Sequence, residues 1–321
     1  MRLAVLDLGL DSLHLAVFET GGRAAGGPLH VRRSRSESVR LAATMPGGER
    51  LSSAAVARAL AAAARLLGDL AATDPACPLV VIASAGLGAV AGGAALCEEI
   101  QRRHGVAVEL LTGDGEARLS YLGARSYVGT GGRLAVVDVG GGSLELATGP
   151  GAGGCDLVHS VPLGVLSLRD IYLRPERGLD RVARERVARA VRFAAADAAR
   201  AVWDRRPERL AFTSGTAVAL GALADDLGLR APGARGLTLA AVGRLADILA
   251  QFRPIELSAL GVEEARSDTV AVGAVVLHTL MELLAIGAAD ISPYGRREGA
   301  ALRSMRALAI PSVTRVHSAV T

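Results

Sequence analysis

The chain contains no lysine, so all 36 basic residues are arginines. A phosphate site in this protein must therefore use arginine side chains, backbone N–H groups, helix N-termini or a metal ion. Aromatic residues are also scarce: four Phe, four Tyr and one Trp among 321 residues leave few side chains for stacking on nucleic-acid bases. Because the chain also has no nucleic-acid-binding motif, we expect no nucleic-acid partner, whereas the net charge of +4 permits a small anionic ligand.

Cysteine is rare as well. Cys77, Cys97 and Cys155 are widely spaced and form no CxxC or Cys-His pattern, which is typical of free thiols in a reducing compartment. A strand pattern begins directly after Met1-Arg2 and leaves no room for a signal peptide, so we expect a cytoplasmic location.

Residues 269–289 form the longest apolar segment of the chain. His278 and Glu282 lie near its middle, where a membrane span would rarely carry ionisable side chains. The segment is therefore predicted to be a buried helix, and we expect no membrane contact.

The length of the chain and its 50% apolar fraction fit two domains of ordinary size. The order of predicted strands and helices is that of two α/β units joined near residue 126, which gives domains at 1–125 and 126–321. Helical spacing is clearest over residues 52–72, where Ser52 or Ser53 would cap the helix. A ligand is expected between the two units.

One short pattern occurs twice, at a constant offset of 131 positions. Residues 4–18 read AVLDLGLDSLHLAVF, and residues 135–149 read AVVDVGGGSLELATG. Each copy has two apolar strands around a turn with glycine, which predicts a β-hairpin. The matching positions are Asp7 with Asp138, Gly9 with Gly140, Ser12 with Ser143 and Leu13 with Leu144.

The glycine turn of the second copy has a chemistry of its own. Three glycines at 140–142 let the backbone approach a ligand closely and turn successive N–H groups toward an anion. Asp138 ends the preceding strand, where its carboxylate is placed to hold Mg²⁺, and Glu145 on the next strand is placed to face the same ligand. The alternative is a structural hairpin in which Asp138 only caps the turn. The second copy of the pattern favours ligand binding.

Residues 136–146, VVDVGGGSLEL, closely resemble the D-[IV]-G-G-G-S-x-E-[LF] signature of the exopolyphosphatase and guanosine pentaphosphate phosphatase family. Other stretches resemble further motifs of the family in the same order. They are LDLGLDSLHL, LTGDGEARLSYLGA, VPLGVLSL, TSGTAVALGAL and SPYGRREGAAL. The resemblance covers nearly the whole chain. It implies an α/β protein with the actin-like ATPase (ribonuclease H-like) fold, in which two α/β domains enclose a cleft.

The resemblance also implies roles for individual residues. Glu116 matches the carboxylate regarded as the general base that activates water against the terminal phosphorus. Asp138 and Glu145 match carboxylates of the metal site, and the implied cofactor is Mg²⁺. Arg297 and Glu298 are expected to form a structural ion pair, and a contact with the ligand is the alternative. The residues that match phosphate-binding positions are Asp7, Gly9, Asp11, Ser12, Gly140, Gly141, Gly142, Ser143, Gly215 and Thr216.

Several positions depart from the family pattern. Leu10 and Asp11 replace a small hydroxyl residue and an asparagine, so one donor is lost and a negative charge is added near the expected phosphate. Leu87 lies where the pattern has an arginine, and a charge-assisted contact of that kind contributes roughly 1.5 to 3 kcal/mol. Gly115 replaces the first of two paired glutamates. These changes indicate a diverged member.

The leading hypothesis is a Mg²⁺-dependent hydrolase that releases terminal phosphate from inorganic polyphosphate, from guanosine pentaphosphate, or from both. The alternative is a catalytically weak or inactive paralogue that binds polyphosphate or guanosine tetra- and pentaphosphate. An actin-like ATPase or sugar kinase would share the fold, but Glu116 and the RREG ending belong to the phosphatase pattern. The resemblance is also compatible with a homodimer, which the sequence does not establish.

Overall fold

The structure is a computed structural model that describes residues 1–21, 28–41, 50–174, 176 and 178–309. Its first β-sheet has five strands in the spatial order β3-β2-β1-β4-β5. The strands are β1 (Arg2–Leu8), β2 (Ser12–Thr20), β3 (Leu29–Ser38), β4 (Leu79–Ala83) and β5 (Val108–Leu110). The first three run antiparallel, whereas β4 pairs in parallel with β1 and with β5.

The second sheet has six strands in the order β10-β11-β9-β6-β7-β8. They are β6 (Arg133–Val139), β7 (Leu144–Pro150), β8 (Leu157–Val161), β9 (Arg209–Thr213), β10 (Gly236–Thr238) and β11 (Ala288–Ser292). Its first three strands again run antiparallel, and β9 again pairs in parallel with the first of them. The 131-residue sequence repeat therefore reflects a repeated sheet topology, with the two expected hairpins at β1–β2 and β6–β7.

In the described residues, ten α-helices lie between these strands or follow the last of them. They are α1 (Ser53–Thr73), α2 (Ala85–Ala89), α3 (Gly93–His104), α4 (Gly113–Val128), α5 (Val165–Tyr172), α6 (Arg181–Trp203), α7 (Gly215–Asp226), α8 (Leu239–Leu249), α9 (Val270–Leu283) and α10 (Arg296–Ala309). The prediction of a helix over residues 52–72 is confirmed. Ser52 is its N-cap, and the Ser52 side chain accepts a hydrogen bond from the Ala55 N–H.

Most of the apolar segment at 269–289 forms a buried helix, as predicted: α9 covers Val270–Leu283, whereas the last two residues of the segment begin β11. Eleven of the 14 helix residues are buried, and the helix packs against α6 and α8. A helix that is apolar on all sides belongs in the centre of a large core. Within the described part of the chain, no helix combines the length and the hydropathy that a membrane span needs.

Helices α4 and α10 lie side by side. Leu119 of α4 and Met305 of α10 pack with residues of β1 in one core cluster, whereas Tyr121 of α4 packs with Val136 of β6 in another. Helix α4 thus contacts both sheets, and the last helix completes the core of the first sheet. The boundary expected at residue 125 falls inside α4, and the division into two domains stays a prediction. Residues 310–321 lie outside the described chain.

The contact between α4 and α10 is unusually close because glycines form it. A Cβ on Gly299 of α10 would overlap the Leu119 carbonyl group, and a Cβ on Gly123 of α4 would overlap the Gly295 carbonyl group. Only glycine leaves room for such an approach of two backbones. The close packing brings the start of α10 against the middle of α4, and from there the Arg296 side chain reaches Glu116 in the first turn of α4.

Candidate active site

A cleft of about 800 Å³ opens where β1 and β6 end. Asp7 and Asp138 are the second-last residues of these strands, and both line the cleft. Every site residue predicted from the sequence lines this cleft. They are Asp7, Gly9, Asp11, Ser12, Glu116, Asp138, Gly140, Gly141, Gly142, Ser143, Glu145, Gly215 and Thr216.

In the turn after β6, two backbone carbonyl groups accept hydrogen bonds from N–H groups at the start of α5. The Val165 N–H donates to the Gly140 oxygen over 3.1 Å, and the Leu166 N–H donates to the Gly141 oxygen over 3.0 Å. In the described chain, no acceptor binds the N–H groups at positions 141 to 143. Three successive donors are therefore available to an anion in the cleft.

The turn after β1 is built in the same way. The Leu41 N–H donates to the Leu10 oxygen over 2.7 Å, and the Val39 N–H donates to the Asp11 oxygen over 2.8 Å. The N–H groups of Leu10 and Asp11 have no acceptor among the residues that the structure describes. Each hairpin therefore offers backbone donors where the two turns line the cleft.

Glycine is needed at the start of both turns because the backbone folds tightly on itself. The Gly9 N–H donates to the Ser12 oxygen over 3.1 Å, and the Gly140 N–H donates to the Ser143 oxygen over 2.9 Å. A Cβ at Gly9 or Gly140 would lie 2.9 Å from that same oxygen. Neither glycine adopts a left-handed φ, so close approach is the reason for glycine here.

Glu116 lies in the first turn of α4 and is 2% exposed. Its Oε1 accepts a hydrogen bond from Arg296 Nη1 over 2.5 Å, and its Oε2 accepts one from the Ala85 N–H over 3.3 Å. Burial raises the pKa of Glu116, and the charges of Asp138 and Asp7 add to this effect, while Arg296 opposes it. A buried carboxylate with a raised pKa at the edge of a cleft is suited to accept a proton.

Asp138 and Glu145 form a second acidic group on the β6–β7 hairpin. The Ser120 hydroxyl donates to Asp138 Oδ2 over 2.5 Å, and the Ser160 hydroxyl donates to Glu145 Oε1 over 3.1 Å. Burial raises the pKa of Glu145 to about 8, with further contributions from the negative charges of Glu116 and Asp138. The burial and the neighbouring negative charges favour the neutral form of Glu145 in the protein alone.

The donor set of this region fits Mg²⁺. The side chains that could bind a metal here offer carboxylate oxygens, the ligands that Mg²⁺ prefers. One of these oxygens, Asp7 Oδ1, is buried and has no hydrogen-bond partner among the described residues. No three His, Cys, Asp or Glu side chains in the described chain form a ready-made metal cage. Mg²⁺ often binds through one or two carboxylates, waters and substrate phosphates, so Asp138 and Glu145 are a sufficient protein contribution.

Sequence reasoning missed Arg296. This residue begins α10, and its Nε donates to Asp7 Oδ2 over 2.9 Å while its Nη1 binds Glu116. The RREG stretch drew attention to the next arginine, because the family pattern leaves position 296 open. Only the close contact of α4 with α10 brings Arg296 into the cleft.

Sequence reasoning also missed His14. It lies directly opposite Asp7 in the β1–β2 hairpin, and its Nε2 is 2.6 Å from the Ser12 hydroxyl oxygen. Burial lowers the pKa of His14 to about 4, and the positive charge of Arg297 adds to this effect. The signal was present in the repeat, since His14 matches Glu145 at the same offset of 131 positions.

The Ser-Gly-Thr turn begins α7 at the far side of the cleft. Ser214 is the N-cap, and its side chain accepts a hydrogen bond from the Ala217 N–H over 3.1 Å. Its backbone has φ 136° and ψ 165°, a region that is essentially restricted to glycine. The Arg266 guanidinium packs so closely on Gly215 that a Cβ there would overlap it. This end of the cleft therefore combines helix N–H groups with an arginine.

The model of the Ppx/GppA phosphatase family matches residues 22–308. The chain belongs to this family. Its curated relatives include an uncharacterized protein of Streptomyces coelicolor, 33% identical over 94% of this chain and 90% of the relative. Exopolyphosphatase 1 of Mycobacterium leprae is 28% identical, and the alignment covers 95% of this chain and 90% of that protein.

Solved structures of the Ppx/GppA family share the fold. A crystal structure of an exopolyphosphatase from Cytophaga hutchinsonii aligns with TM-score 0.83 at 20% identity, over 96% of this chain and 98% of that chain. The Aquifex aeolicus Ppx/GppA family member aligns with TM-score 0.79 at 20% identity, over 95% and 97%. The two mixed sheets with their repeated topology are the actin-like ATPase fold, as predicted.

The departures from the Ppx/GppA pattern have different structural consequences. Leu87 is 1% exposed and belongs to the core of the first sheet, so its position offers no group to the cleft. Gly115 lies outside the residues that line the cleft, while Asp11 lines it with an exposed side chain. Leu10 packs between α2 and the turn of the second hairpin, since Cβ atoms on Gly86 and Gly142 would lie 3.2 and 3.6 Å from its Cδ1.

The expected ion pair between Arg297 and Glu298 is wrong. The Glu298 Oε2 instead accepts a hydrogen bond from the Gly295 N–H over 2.8 Å and caps its own helix. Arg297 has no ion-pair partner within 4.0 Å among the described residues. Adjacent helical residues point in different directions, which is why the two side chains do not meet.

Proposed function

We propose that this protein is a phosphoanhydride hydrolase that releases the terminal phosphate of inorganic polyphosphate, of guanosine pentaphosphate, or of both. The observation that carries the proposal is the position of Glu116. This buried carboxylate lines the same cleft as two turns whose backbone N–H groups are free to bind phosphate oxygens. The names of the mycobacterial relatives, exopolyphosphatase 1, support the same reaction.

Each group of residues in the cleft has its own role in this reaction. The turns after β1 and β6 bind the anionic chain through backbone donors, and Glu116 accepts a proton from a water molecule. The oxygen of that water forms a bond to the terminal phosphorus, and the bond to the bridging oxygen breaks with its electron pair left on the shortened chain. A bound Mg²⁺ held by Asp138 and Glu145 would neutralise negative charge on the phosphates.

The test is phosphate release by the purified protein from polyphosphate and from guanosine pentaphosphate in the presence of Mg²⁺. Removing a general base typically lowers turnover by about 10²- to 10⁴-fold, so Glu116→Gln should lose activity on that scale. Asp114→Asn is the matched control, because Asp114 is exposed in the same turn of α4 and does not line the cleft. Unchanged phosphate release by Glu116→Gln would refute the assigned role.

A second candidate is a paralogue that binds polyphosphate or guanosine tetra- and pentaphosphate with little or no turnover. The ion pair between Arg296 and Glu116 favours it, because the guanidinium occupies one oxygen of the carboxylate that would serve as base. Calorimetry that shows tight binding of these anions together with no phosphate release would support this candidate. ATP consumption that depends on a sugar would instead revive the kinase hypothesis.

The cytoplasmic location and a homodimer stay predictions.

A further inference from the structure

Arg296 lines the cleft and is held there by two carboxylates from different elements. Its Nε binds Asp7 at the end of β1, and its Nη1 binds Glu116 at the start of α4. These carboxylates are 4% and 3% exposed as side chains, whereas the Arg296 side chain is 26% exposed. Two of the guanidinium nitrogens are thus fixed by buried partners, while about a quarter of the Arg296 side chain remains exposed in the cleft that it lines.

The third nitrogen of this guanidinium is the part that remains available. Arg296 Nη2 lies beside the first turn, since a Cβ on Gly9 would be 3.4 Å from it. No hydrogen-bond acceptor for Nη2 occurs among the residues that the structure describes. The guanidinium group is planar and rigid, so its three nitrogens keep fixed positions relative to one another. Asp7 and Glu116, which bind two of them, therefore determine where Nη2 lies.

The cleft has a high density of acidic side chains. Asp7, Glu116, Asp138 and Glu145 all line it, and an oligophosphate would add further negative charge. The segment at 84–89, where the family pattern has an arginine, supplies none, because Leu87 is a core residue. Backbone N–H groups carry only partial positive charge. Besides Arg296, the cleft is lined by Arg40, Arg169, Arg266 and Arg297, but Arg296 is the arginine that is hydrogen-bonded to Glu116.

We propose that Arg296 binds the terminal phosphoryl group through Nη2 while its Nη1 holds Glu116 in position beside the attacking water. This inference rests on the proposed function and deepens it, because it assigns the cation that Leu87 cannot supply. One residue would then bind substrate and orient the general base, and the first turn of α10 would be part of the active site.

The decisive variants are Arg296→Leu, Arg296→Lys and the matched control Arg303→Leu. Arg303 lies on the same helix and binds Glu109 over 2.9 Å in an exposed ion pair outside the cleft. Loss of a charge-assisted contact corresponds to roughly a 10- to 100-fold change. We expect Arg296→Leu to lose that factor or more in kcat/KM for polyphosphate with Mg²⁺, Arg296→Lys to lose less, and Arg303→Leu to match the parent protein.

Two further measurements distinguish the proposed role of Arg296 from a purely structural one. Removal of the guanidinium raises the pKa of Glu116, so the acidic limb of the kcat/KM profile should move to higher pH in Arg296→Leu. Added guanidinium ion should restore part of the activity of Arg296→Leu and none to Glu116→Gln. If Arg296→Leu folds, as thermal melting shows, and keeps the parent kcat/KM and pH profile, the inference is overturned.

Failure of the proposed hydrolysis gives a different result from failure of this inference. If the parent protein binds tripolyphosphate in calorimetry but releases no phosphate, hydrolysis is refuted. Arg296→Leu should then still weaken tripolyphosphate binding by roughly 10-fold or more, relative to Arg303→Leu. Equal affinity of the two variants would overturn the contact with Arg296. If the parent protein neither binds nor hydrolyses these anions, both proposals fall.

Discussion

Glu145 lies directly opposite Asp138 in the β6–β7 hairpin, in the same register in which His14 lies opposite Asp7 in the β1–β2 hairpin. The two hairpins therefore differ in their titratable groups although they share their geometry. The second hairpin pairs two carboxylates, whereas the first pairs a carboxylate with an imidazole that burial keeps neutral. The need for a cation is thus greater at the second hairpin.

Glu145→Gln tests this asymmetry through protein stability. Because burial raises the pKa of Glu145 from 4.5 to about 8, the folded protein holds a proton that the unfolded chain releases between these pH values. Stability of the chelator-treated protein should therefore fall as pH rises through this window. The variant cannot ionise there, so it should be more stable than the parent by roughly 2 to 4 kcal/mol at pH 8 and similar to it at pH 5.

The measurement is urea unfolding of both proteins at pH 5, 6.5 and 8 with a chelator, and again with excess Mg²⁺. The other titrating groups are common to both proteins, so the difference between them isolates Glu145. Mg²⁺ should stabilise the parent more than Glu145→Gln, because binding to the folded state alone adds stability. Parallel pH curves for the two proteins would contradict the prediction.

Ser214→Gly should stabilise the protein. The backbone of Ser214 has a positive φ of 136°, and strain of this type costs about 1 to 3 kcal/mol in a residue with a Cβ. The change also removes the N-cap hydroxyl of α7, but glycine is a fair N-cap, and the replacement costs only a few tenths of a kcal/mol. A net gain of about 1 kcal/mol in the unfolding free energy is expected.

Ser52→Gly is the control for this comparison. Ser52 caps α1 through the same kind of hydrogen bond, over 3.2 Å, but its φ is −73°. Glycine relieves no strain there and adds freedom to the unfolded chain, so Ser52→Gly should be neutral or slightly destabilising. Equal stability changes at both positions in urea unfolding would show that Ser214 is not strained in solution.

The repeated hairpins could be predicted from the sequence because their signals are local. Alternating apolar residues fix each strand, and Gly9 and Gly140 mark turns that a Cβ would disrupt. Asp7 and Asp138 follow from the strand ends, since the two copies share one offset and one topology. The cleft between the hairpins was therefore predictable once the repeat was recognised.

The position of Arg296 could not be predicted in this way. It depends on the packing of α10 against α4, which joins residues far apart in sequence through Gly123 and Gly299. Leu87 is a second example. The family pattern places its position in a phosphate site, whereas the structure places its side chain in the core. Local patterns predict elements, whereas side-chain directions at a site depend on how distant elements pack.

Gly140→Ala should destabilise the protein by roughly 1 to 3 kcal/mol and lower its activity. The added Cβ would meet the Ser143 carbonyl oxygen at 2.9 Å, and this oxygen belongs to the backbone, so the turn itself must shift. Gly142→Ala is the matched variant in the same turn, where the nearest atom is Leu10 Cδ1 at 3.6 Å, an ordinary contact. Thermal melting should show a clear loss for Gly140→Ala and little change for Gly142→Ala. The opposite order would contradict this geometry.

Asp11→Asn should strengthen substrate binding. The Asp11 side chain is exposed at the rim of the cleft, and no hydrogen bond or ion pair of its carboxylate occurs in the described chain. Its charge therefore acts on an incoming oligoanion mainly by repulsion through water, which is worth about 1 kcal/mol at close range. We expect the KM for polyphosphate to fall roughly 2- to 5-fold at low ionic strength with kcat unchanged.

Salt dependence identifies the cause of this effect. The Debye length is about 10 Å at 0.1 M salt and about 3 Å at 1 M, so the advantage of Asp11→Asn should disappear at high ionic strength. Asp114→Asn removes an exposed charge that does not line the cleft and should leave KM unchanged at both salt concentrations. A lower KM that persists at 1 M salt would point to a new contact of the amide, because screening would already have removed the repulsion. That result would mean that the residue at position 11 binds the substrate directly through its side chain.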